Sequence, residues 1–116
     1  MRDENSAGFL VVMPVVLIAE DLAHMLREAR PAAAVTMATT ADQALSLLQG
    51  CASLGAAFLD LRAEDIADSG LMARLRELGA EIVLLRDDLP DTLGPCHLLD
   101  MPFSEERVAR LLQALR

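Results

Sequence analysis

The sequence predicts an α/β protein in which a five-stranded parallel sheet carries helices on both faces, as a three-layer sandwich. Short apolar segments recur along the chain, and segments with the apolar spacing of a helix lie between them. Strands that alternate with helices in this way favour a parallel sheet joined by right-handed crossovers. The length of 116 residues, of which 53% are hydrophobic, suits one domain with a single core.

The domain is predicted to span residues 9–116, after a polar lead-in over residues 1–8 that we expect to be flexible. Phe9–Met13 is a short apolar segment, typical of a strand that is buried on both faces. A helix over 15–30 follows, because apolar residues recur there every three or four positions with charged residues opposite. Pro14 then suits the first turn of that helix, where an N–H group is not needed.

The second and third strands are predicted over 33–38 and 56–61. Between them a helix is predicted to run to about Gln49, since Thr40 can cap its first turn. Asp60 lies at the carboxyl end of the third strand, in a segment that is otherwise apolar. A structural role alone explains this carboxylate poorly.

Two further helices, two further strands and one loop complete the prediction. Asp68 or Ser69 can cap a helix over 70–78, which ends at Gly79. The segment 86–95 is predicted to be a loop or a single helical turn. The remaining elements are strands over 81–85 and 96–100 and a helix over 105–115.

Composition argues against nucleic acid as a partner. Ten Lys and Arg residues stand against 18 Asp and Glu residues, which gives a net charge of −8. This charge works against the neutralisation of phosphates, which is the main source of affinity for nucleic acid. The chain also has no Trp or Tyr and only three Phe, so it cannot build an aromatic platform for stacking bases.

The two cysteines, Cys51 and Cys96, have neither CxxC nor Cys/His spacing, and we expect buried thiols in a reducing compartment. A zinc site at Cys96 and His97 would need two further ligands that the spacing does not supply. His24 is expected to be a solvated helix residue. The apolar segment 9–19 is too short to span a membrane, and the residues before it are acidic, unlike a signal peptide. We therefore expect a cytoplasmic protein without membrane contact.

Two short motifs lie at the carboxyl ends of predicted strands, where open parallel sheets bind ligands. Asp60 follows Ala-Phe-Leu, and Met-Pro-Phe at 101–103 precedes a last helix that opens with Ser-Glu-Glu at 104–106. In their order and spacing these residues resemble the receiver domain of two-component response regulators, over about residues 9–115. The resemblance implies a flavodoxin-like fold, in which the family's fourth helix, between strands four and five, is shortened or absent.

The resemblance also implies roles for individual positions. Asp60 stands where the family has the aspartate that accepts a phosphoryl group from a histidine kinase. The family's magnesium-holding acidic pair falls on Met13 and Pro14, its Ser or Thr after the fourth strand on Arg86, and its Lys on Met101. Phosphoryl transfer depends on metal and cationic charge. These replacements therefore indicate a degenerate receiver, or pseudo-receiver, with no cofactor and no catalytic residue.

A second register stays open, in which the first strand extends further and Glu20 and Asp21 form the acidic pair. Asp60 would then be a conventional phosphoacceptor, with magnesium as its cofactor. This register shortens the first helix and breaks its regular spacing. A makeshift metal site of Asp60 and Asp87 is a lesser alternative, because acidic runs such as Asp87-Asp88 more often lie in solvated loops.

Asp60 needs a positive partner, since a buried carboxylate without one is costly or becomes protonated. Arg86 and, less directly, Arg62 are the candidates. Our hypothesis is that Arg86 pairs with Asp60 and holds the domain in one state, in place of the lysine and the metal. The alternative is that Arg86 points to solvent and that Asp60 is simply hydrated at the strand end.

These observations predict a stand-alone, receiver-like signalling domain of a two-component or phosphorelay pathway, which acts by protein–protein interaction and is not an enzyme. Its expected partner is a histidine kinase or another regulator. A homodimer is also conceivable, because the first helix carries an acidic stripe and the last helix is basic, with Arg107, Arg110 and Arg116. The alternatives are a conventional response regulator phosphorylated at Asp60, and an unrelated small enzyme, for which no nucleotide or hydrolase motif is present.

Overall fold

The computed structural model describes residues 8–86, 96–99 and 103–115, which alternate between strands and helices. The strands are β1 (Phe9–Val12), β2 (Val35–Ala38), β3 (Ala56–Leu59), β4 (Glu81–Leu84) and β5 (His97–Leu98). The helices are α1 (Val16–Ala29), α2 (Ala41–Leu47), α3 (Ala63–Ser69), α4 (Leu71–Glu77) and α5 (Glu105–Ala114).

All strand pairs are parallel, and the strands lie in the order β2-β1-β3-β4-β5. The chain adds β2 on one side of β1 and then adds β3, β4 and β5 on the other side. The direction in which strands are added therefore reverses between β1 and β3, and doubly wound sheets bind their ligands at this point. Val12 pairs with Leu59, and Leu59 with Leu84, so the three central strands end side by side. The predicted fold class, a flavodoxin-like parallel sheet with helices on both faces, is confirmed.

The sheet separates two apolar layers, because successive strand residues point to opposite faces. On β1, Leu10 and Val12 face the layer under α2, α3 and α4, whereas Phe9 and Val11 face the layer under α1 and α5. Phe58 of β3 lies in this second layer and meets Phe9 edge to face, with ring centroids 6.0 Å apart. Burial on both faces explains the almost wholly apolar sequences of β1 and β3.

Helix α3 was not predicted. Its seven residues contain a single large apolar side chain, Ile66, which is fully buried, so the segment is too short for a helical period to be visible. Gly70, with φ of 79°, separates α3 from α4. Ser69, predicted as a cap, is the last residue of α3, yet its Oγ does accept a hydrogen bond from the N–H of Leu71 at 3.2 Å.

The other predicted elements are present with small shifts at their ends. Helix α1 begins at Val16 and is capped by Val15, so Pro14 precedes the cap and does not lie in the first turn. Helix α2 ends at Leu47 and not at Gln49, while Thr40 caps it as predicted, with its Oγ1 accepting from the Gln43 N–H. Strand β5 has two residues where five were predicted.

Some predictions concern residues outside the described part of the chain. These residues are the lead-in before Gly8, the segment 87–95, where the fourth helix was predicted to be shortened or absent, the pocket positions Met101 and Asp87, and Arg116. Within the described residues, no helix is both long enough and apolar enough to cross a bilayer.

Leu22→Ala is expected to lower the free energy of unfolding by about 3 kcal/mol, because Leu22 is fully buried between α1 and the sheet and its loss leaves a cavity. The matched control is Leu17→Ala on the same helix, where Leu17 is 75% exposed and the expected change is under about 0.5 kcal/mol. Urea unfolding followed by circular dichroism measures both. Equal losses in the two variants would contradict the packing of α1 described above.

Candidate functional site

Asp60 is the first residue after β3, at the reversal point of the sheet. Its backbone N–H donates to the Val12 carbonyl at 2.9 Å, which continues the β1–β3 ladder by one step. Its side chain is only 13% exposed and emerges where three strands end together. The sheet therefore presents the Asp60 carboxylate at the position where doubly wound sheets bind their ligands.

Arg86 supplies the positive charge beside this carboxylate. It follows β4, the strand next to β3, and its Nε donates to Asp60 Oδ1 at 2.9 Å. This distance is typical of a charge-assisted hydrogen bond, which is stronger than a neutral one. The predicted pair of Asp60 and Arg86 is thus present, and the alternative with Arg86 turned away into solvent is wrong. Arg86 itself is 36% exposed, so water screens part of the attraction.

The end of β1 brings no carboxylate to the site. Met13 is fully buried in the layer under α1 and α5, where its flexible thioether fills space between strand and helix. Pro14 is exposed and carries no ligand atom on its side chain. Glu20 and Asp21 lie within α1 and are exposed, so the register that made them the acidic pair is wrong.

The ion pairs of Arg62 are with two other carboxylates and not with Asp60. Arg62 stands at the N-cap of α3, and its guanidinium lies 3.8 Å from the Glu64 carboxylate and 3.5 Å from that of Asp65. Its side chain is 63% exposed, so these contacts are surface ion pairs of small energetic value. The acidic residues at 64 and 65 are partly solvated, and they lie in the first turn of α3, where the helix dipole favours negative charge.

The described donor set does not fit a magnesium site. Magnesium takes oxygen ligands in octahedral geometry and is usually held by one or two carboxylates. Asp60 offers one carboxylate, one oxygen of which is already bonded to Arg86, and neither Met13 nor Pro14 adds a side-chain oxygen. Within the described residues no three His, Cys, Asp or Glu side chains converge in a way that could hold a metal ion.

A cleft of about 540 Å³ lies between α2 and α3, and Pro14 and Leu61 reach it from the ends of β1 and β3. Its polar lining includes Asp42, Asp65 and Asp68. The sequence analysis did not find this cleft, because one wall is formed by α3, which was not predicted. The available signals were the acidic residues 64, 65 and 68 of α3 and the Thr-Thr-Ala-Asp sequence at the start of α2.

The cysteines are half-buried free thiols rather than fully buried ones. Burial raises the pKa of the Cys96 thiol above its ordinary value of 9.0, and the neighbouring Arg76 partly opposes this by charge and by hydrogen bonding. His97 Nε2 lies 2.9 Å from Glu81 Oε1, within hydrogen-bond distance. His24 is 67% exposed, as predicted for a solvated helix residue.

The sequence matches no protein-family model and no curated protein. Several solved structures, however, share its whole fold. The chemotaxis protein CheY4 of Vibrio cholerae superposes with a TM-score of 0.74 at 20% identity, over 95% of this chain and 98% of that one. A two-component response regulator from Legionella pneumophila gives a TM-score of 0.69 at 14% identity, over 93% and 96%.

The chain has the receiver fold. A third similar structure is CheY6 from R. sphaeroides in complex with the phosphorylated P1 domain of CheA3, with a TM-score of 0.69 at 16% identity, over 94% of this chain and 95% of that one. At these identities the likeness concerns the fold, and the chemistry of the site has to be argued from its own residues.

The Asp60–Arg86 contact is expected to contribute a coupling free energy of about 1 kcal/mol, since one partner is nearly buried and the other is partly solvated. A double-mutant cycle of Asp60→Asn and Arg86→Gln, read by urea unfolding, measures this coupling. The same cycle on Arg110 and Glu106, an exposed pair at 3.1 Å on α5, is the control and is expected to give about 0.3 kcal/mol. Equal coupling in the two pairs would contradict a special role for Asp60 and Arg86.

The raised pKa of Cys96 predicts slow alkylation. In a Cys51→Ser background, the rate of reaction with iodoacetamide is expected to reach half its maximum above pH 9.0, because less thiolate forms at each lower pH. Unfolding in urea should move the midpoint down to the ordinary thiol value. Arg76→Met should move it further up, since Arg76 favours the thiolate. A midpoint that is the same in folded and unfolded protein would contradict this prediction.

Proposed function

We propose that this chain is a cytoplasmic receiver-like signalling module of a two-component or phosphorelay pathway, which acts through protein contacts without efficient magnesium-dependent phosphorylation of Asp60. The observation that carries the proposal is the Asp60–Arg86 contact at 2.9 Å, at the end of the β1–β3 pair, where the described residues add no second carboxylate. An internal cation thus stands where a receiver would need a metal.

The physical argument starts from what phosphoryl transfer requires. The attacking carboxylate must be free, and positive charge must neutralise the phosphoryl oxygens as they approach. Asp60 instead gives one oxygen to Arg86, and the side chains of Met13 and Pro14 cannot bind a metal. Without the metal, both the binding of a phosphoryl donor and the stabilisation of the transition state are weakened. The module is therefore proposed to be held in one state and to have no enzymatic role.

The proposed partner is a protein of the same signalling class, such as a histidine kinase or another regulator. The support is the shared fold with CheY6, which was crystallised with the P1 domain of the kinase CheA3. The net charge of −8 keeps nucleic acid an unfavourable partner. Signal output would then follow from which protein occupies the surface of the module and not from a change at Asp60.

A conventional phosphoacceptor is the second candidate, and the retained carboxylate favours it. Asp60 is 13% exposed, so it is reachable from solvent, and Arg86 is exposed enough to rotate away. In that case Arg86 would bind the phosphoryl oxygens as a cation after transfer. The two candidates differ in whether Asp60 becomes modified at all.

Incubation with acetyl phosphate and magnesium distinguishes them. We expect the intact mass of the wild type to stay unchanged, like that of Asp60→Asn, and calorimetry to detect no magnesium binding. Phosphorylation of the wild type that is absent in Asp60→Asn would establish the conventional phosphoacceptor and rule out the module that acts without phosphorylation.

A gain-of-function variant serves as the positive control. Pro14→Asp with Arg86→Thr places a second carboxylate at the exposed end of β1 and removes the competing cation. This double variant is expected to bind magnesium and to be phosphorylated at Asp60, because two carboxylates suffice for the metal. The same double variant carrying Asp60→Asn should lose the modification.

A further inference from the structure

Large apolar side chains that remain exposed are concentrated on two surfaces of the molecule. Among the described residues, those about half exposed or more are Val15, Val16, Leu17, Leu47 and Leu98. The first three are consecutive and form what we call the apolar knob, residues 15–17 at the start of α1. Leu98 lies on the edge strand β5, at a groove beside α5, and Leu47 stands apart on α2.

The apolar knob is followed by negative charge. Leu17 is 75% exposed, and Glu20 and Asp21, both exposed, lie one helical turn further along α1. Glu28 extends the same solvent face and pairs there with His24 at 3.5 Å. This face of α1 therefore presents aliphatic side chains at one end and carboxylates next to them.

The β5–α5 groove has the opposite pattern. It has a volume of about 280 Å³ and is lined by Leu98, Leu99, Leu111, Ala114, Arg107 and Arg110. This is smaller than the roughly 300–1,000 Å³ of pockets that take small organic ligands, and it suits a few aliphatic side chains. Arg107 is exposed. Arg110 forms an ion pair with Glu106 on the same helix, at 3.1 Å. Both side chains of this pair are exposed, so the pair is weak and Arg110 can exchange Glu106 for another carboxylate.

We propose that the apolar knob of one copy inserts into the β5–α5 groove of a second copy of this chain. Leu17 and its neighbours would fill the apolar floor of the groove, while Glu20 and Asp21 would meet Arg107 and Arg110 at its rim. The net charge of −8 makes two copies repel each other as a whole. A local match of an acidic, apolar surface with a basic, apolar one is the arrangement that overcomes this repulsion.

The two surfaces are different parts of the same chain, so each copy offers both a knob and a groove. Such a contact is heterologous, so it continues from copy to copy or closes into a ring. A copy without a functional knob still keeps its groove. The contact uses neither Asp60 nor Arg86, so it is independent of the function proposed above, and Asp60→Asn is expected to leave it unchanged.

Sedimentation velocity over protein concentrations up to about 1 mM, the range of weak and transient interfaces, tests the proposal. Wild type is expected to associate, and Leu17→Asp and Leu98→Asp are each expected to weaken association at least roughly ten-fold, since each puts a charge into the apolar contact. Leu47→Asp is the matched control, because Leu47 is about as exposed as Leu98 but lies outside both surfaces, and it should associate like wild type.

An equimolar mixture of the two defective variants gives the decisive result. Leu17→Asp keeps its groove and Leu98→Asp keeps its knob, so the mixture is expected to form a 1:1 complex that neither variant forms alone. A wild type that stays monomeric throughout, which would leave these surfaces to a different protein, overturns the proposal. So does a mixture of folded variants that stays monomeric, or a loss of association in Leu47→Asp.

Folding of the variants is checked by circular dichroism. Leu17→Asp places a negative charge in the first turn of α1, where the helix dipole favours it. If Leu98→Asp disturbs the short strand β5, Arg107→Glu replaces it as the groove variant, because Arg107 is exposed on α5. Restoration of association by mixing Arg107→Glu with Leu17→Asp is then the expected result, and its failure overturns the proposal in the same way.

Discussion

The architecture depends on the burial of both faces of β1 and β3. Every residue of these two central strands is buried, and their backbone groups are paired with parallel neighbours on either side. Helices must therefore cover both faces of the sheet, which gives two separate apolar layers. The same pairing makes the strands end in register. Asp60 and Arg86, 26 residues apart in sequence, meet because β3 and β4 are adjacent and their carboxyl ends coincide.

At the carboxyl edge of the sheet, the described charged groups differ from the cluster of carboxylates that would bind a metal ion. Among the described residues, the Asp60 carboxylate meets the Arg86 guanidinium there, and the residues that follow β1 are a buried methionine and an exposed proline. The two opposite charges share a charge-assisted hydrogen bond, and solvent screens part of their attraction because Arg86 is 36% exposed.

The segment that brings no ligand oxygen to the site also carries exposed apolar surface. From Met13 to Ile18 the chain is uninterrupted by any polar residue, and the part that leaves β1 is exposed as the apolar knob. Apolar side chains that are exposed together indicate a contact surface more often than isolated ones do. The segment after β1 thus joins the candidate site to a candidate interface through one stretch of sequence.

The sequence by itself determined the order of the strands, the extent of α1 to within one residue at each end, and the place of Asp60 at a strand end, because apolar periodicity and an isolated carboxylate are local signals. Helix α3 was not predicted, because a single buried side chain, Ile66, cannot show a helical periodicity. Only the tertiary structure decided that Arg86 and not Arg62 reaches Asp60, and that the cleft beside α3 and the β5–α5 groove exist. Strand order and register bring distant residues together, and neither can be read from spacing along the chain.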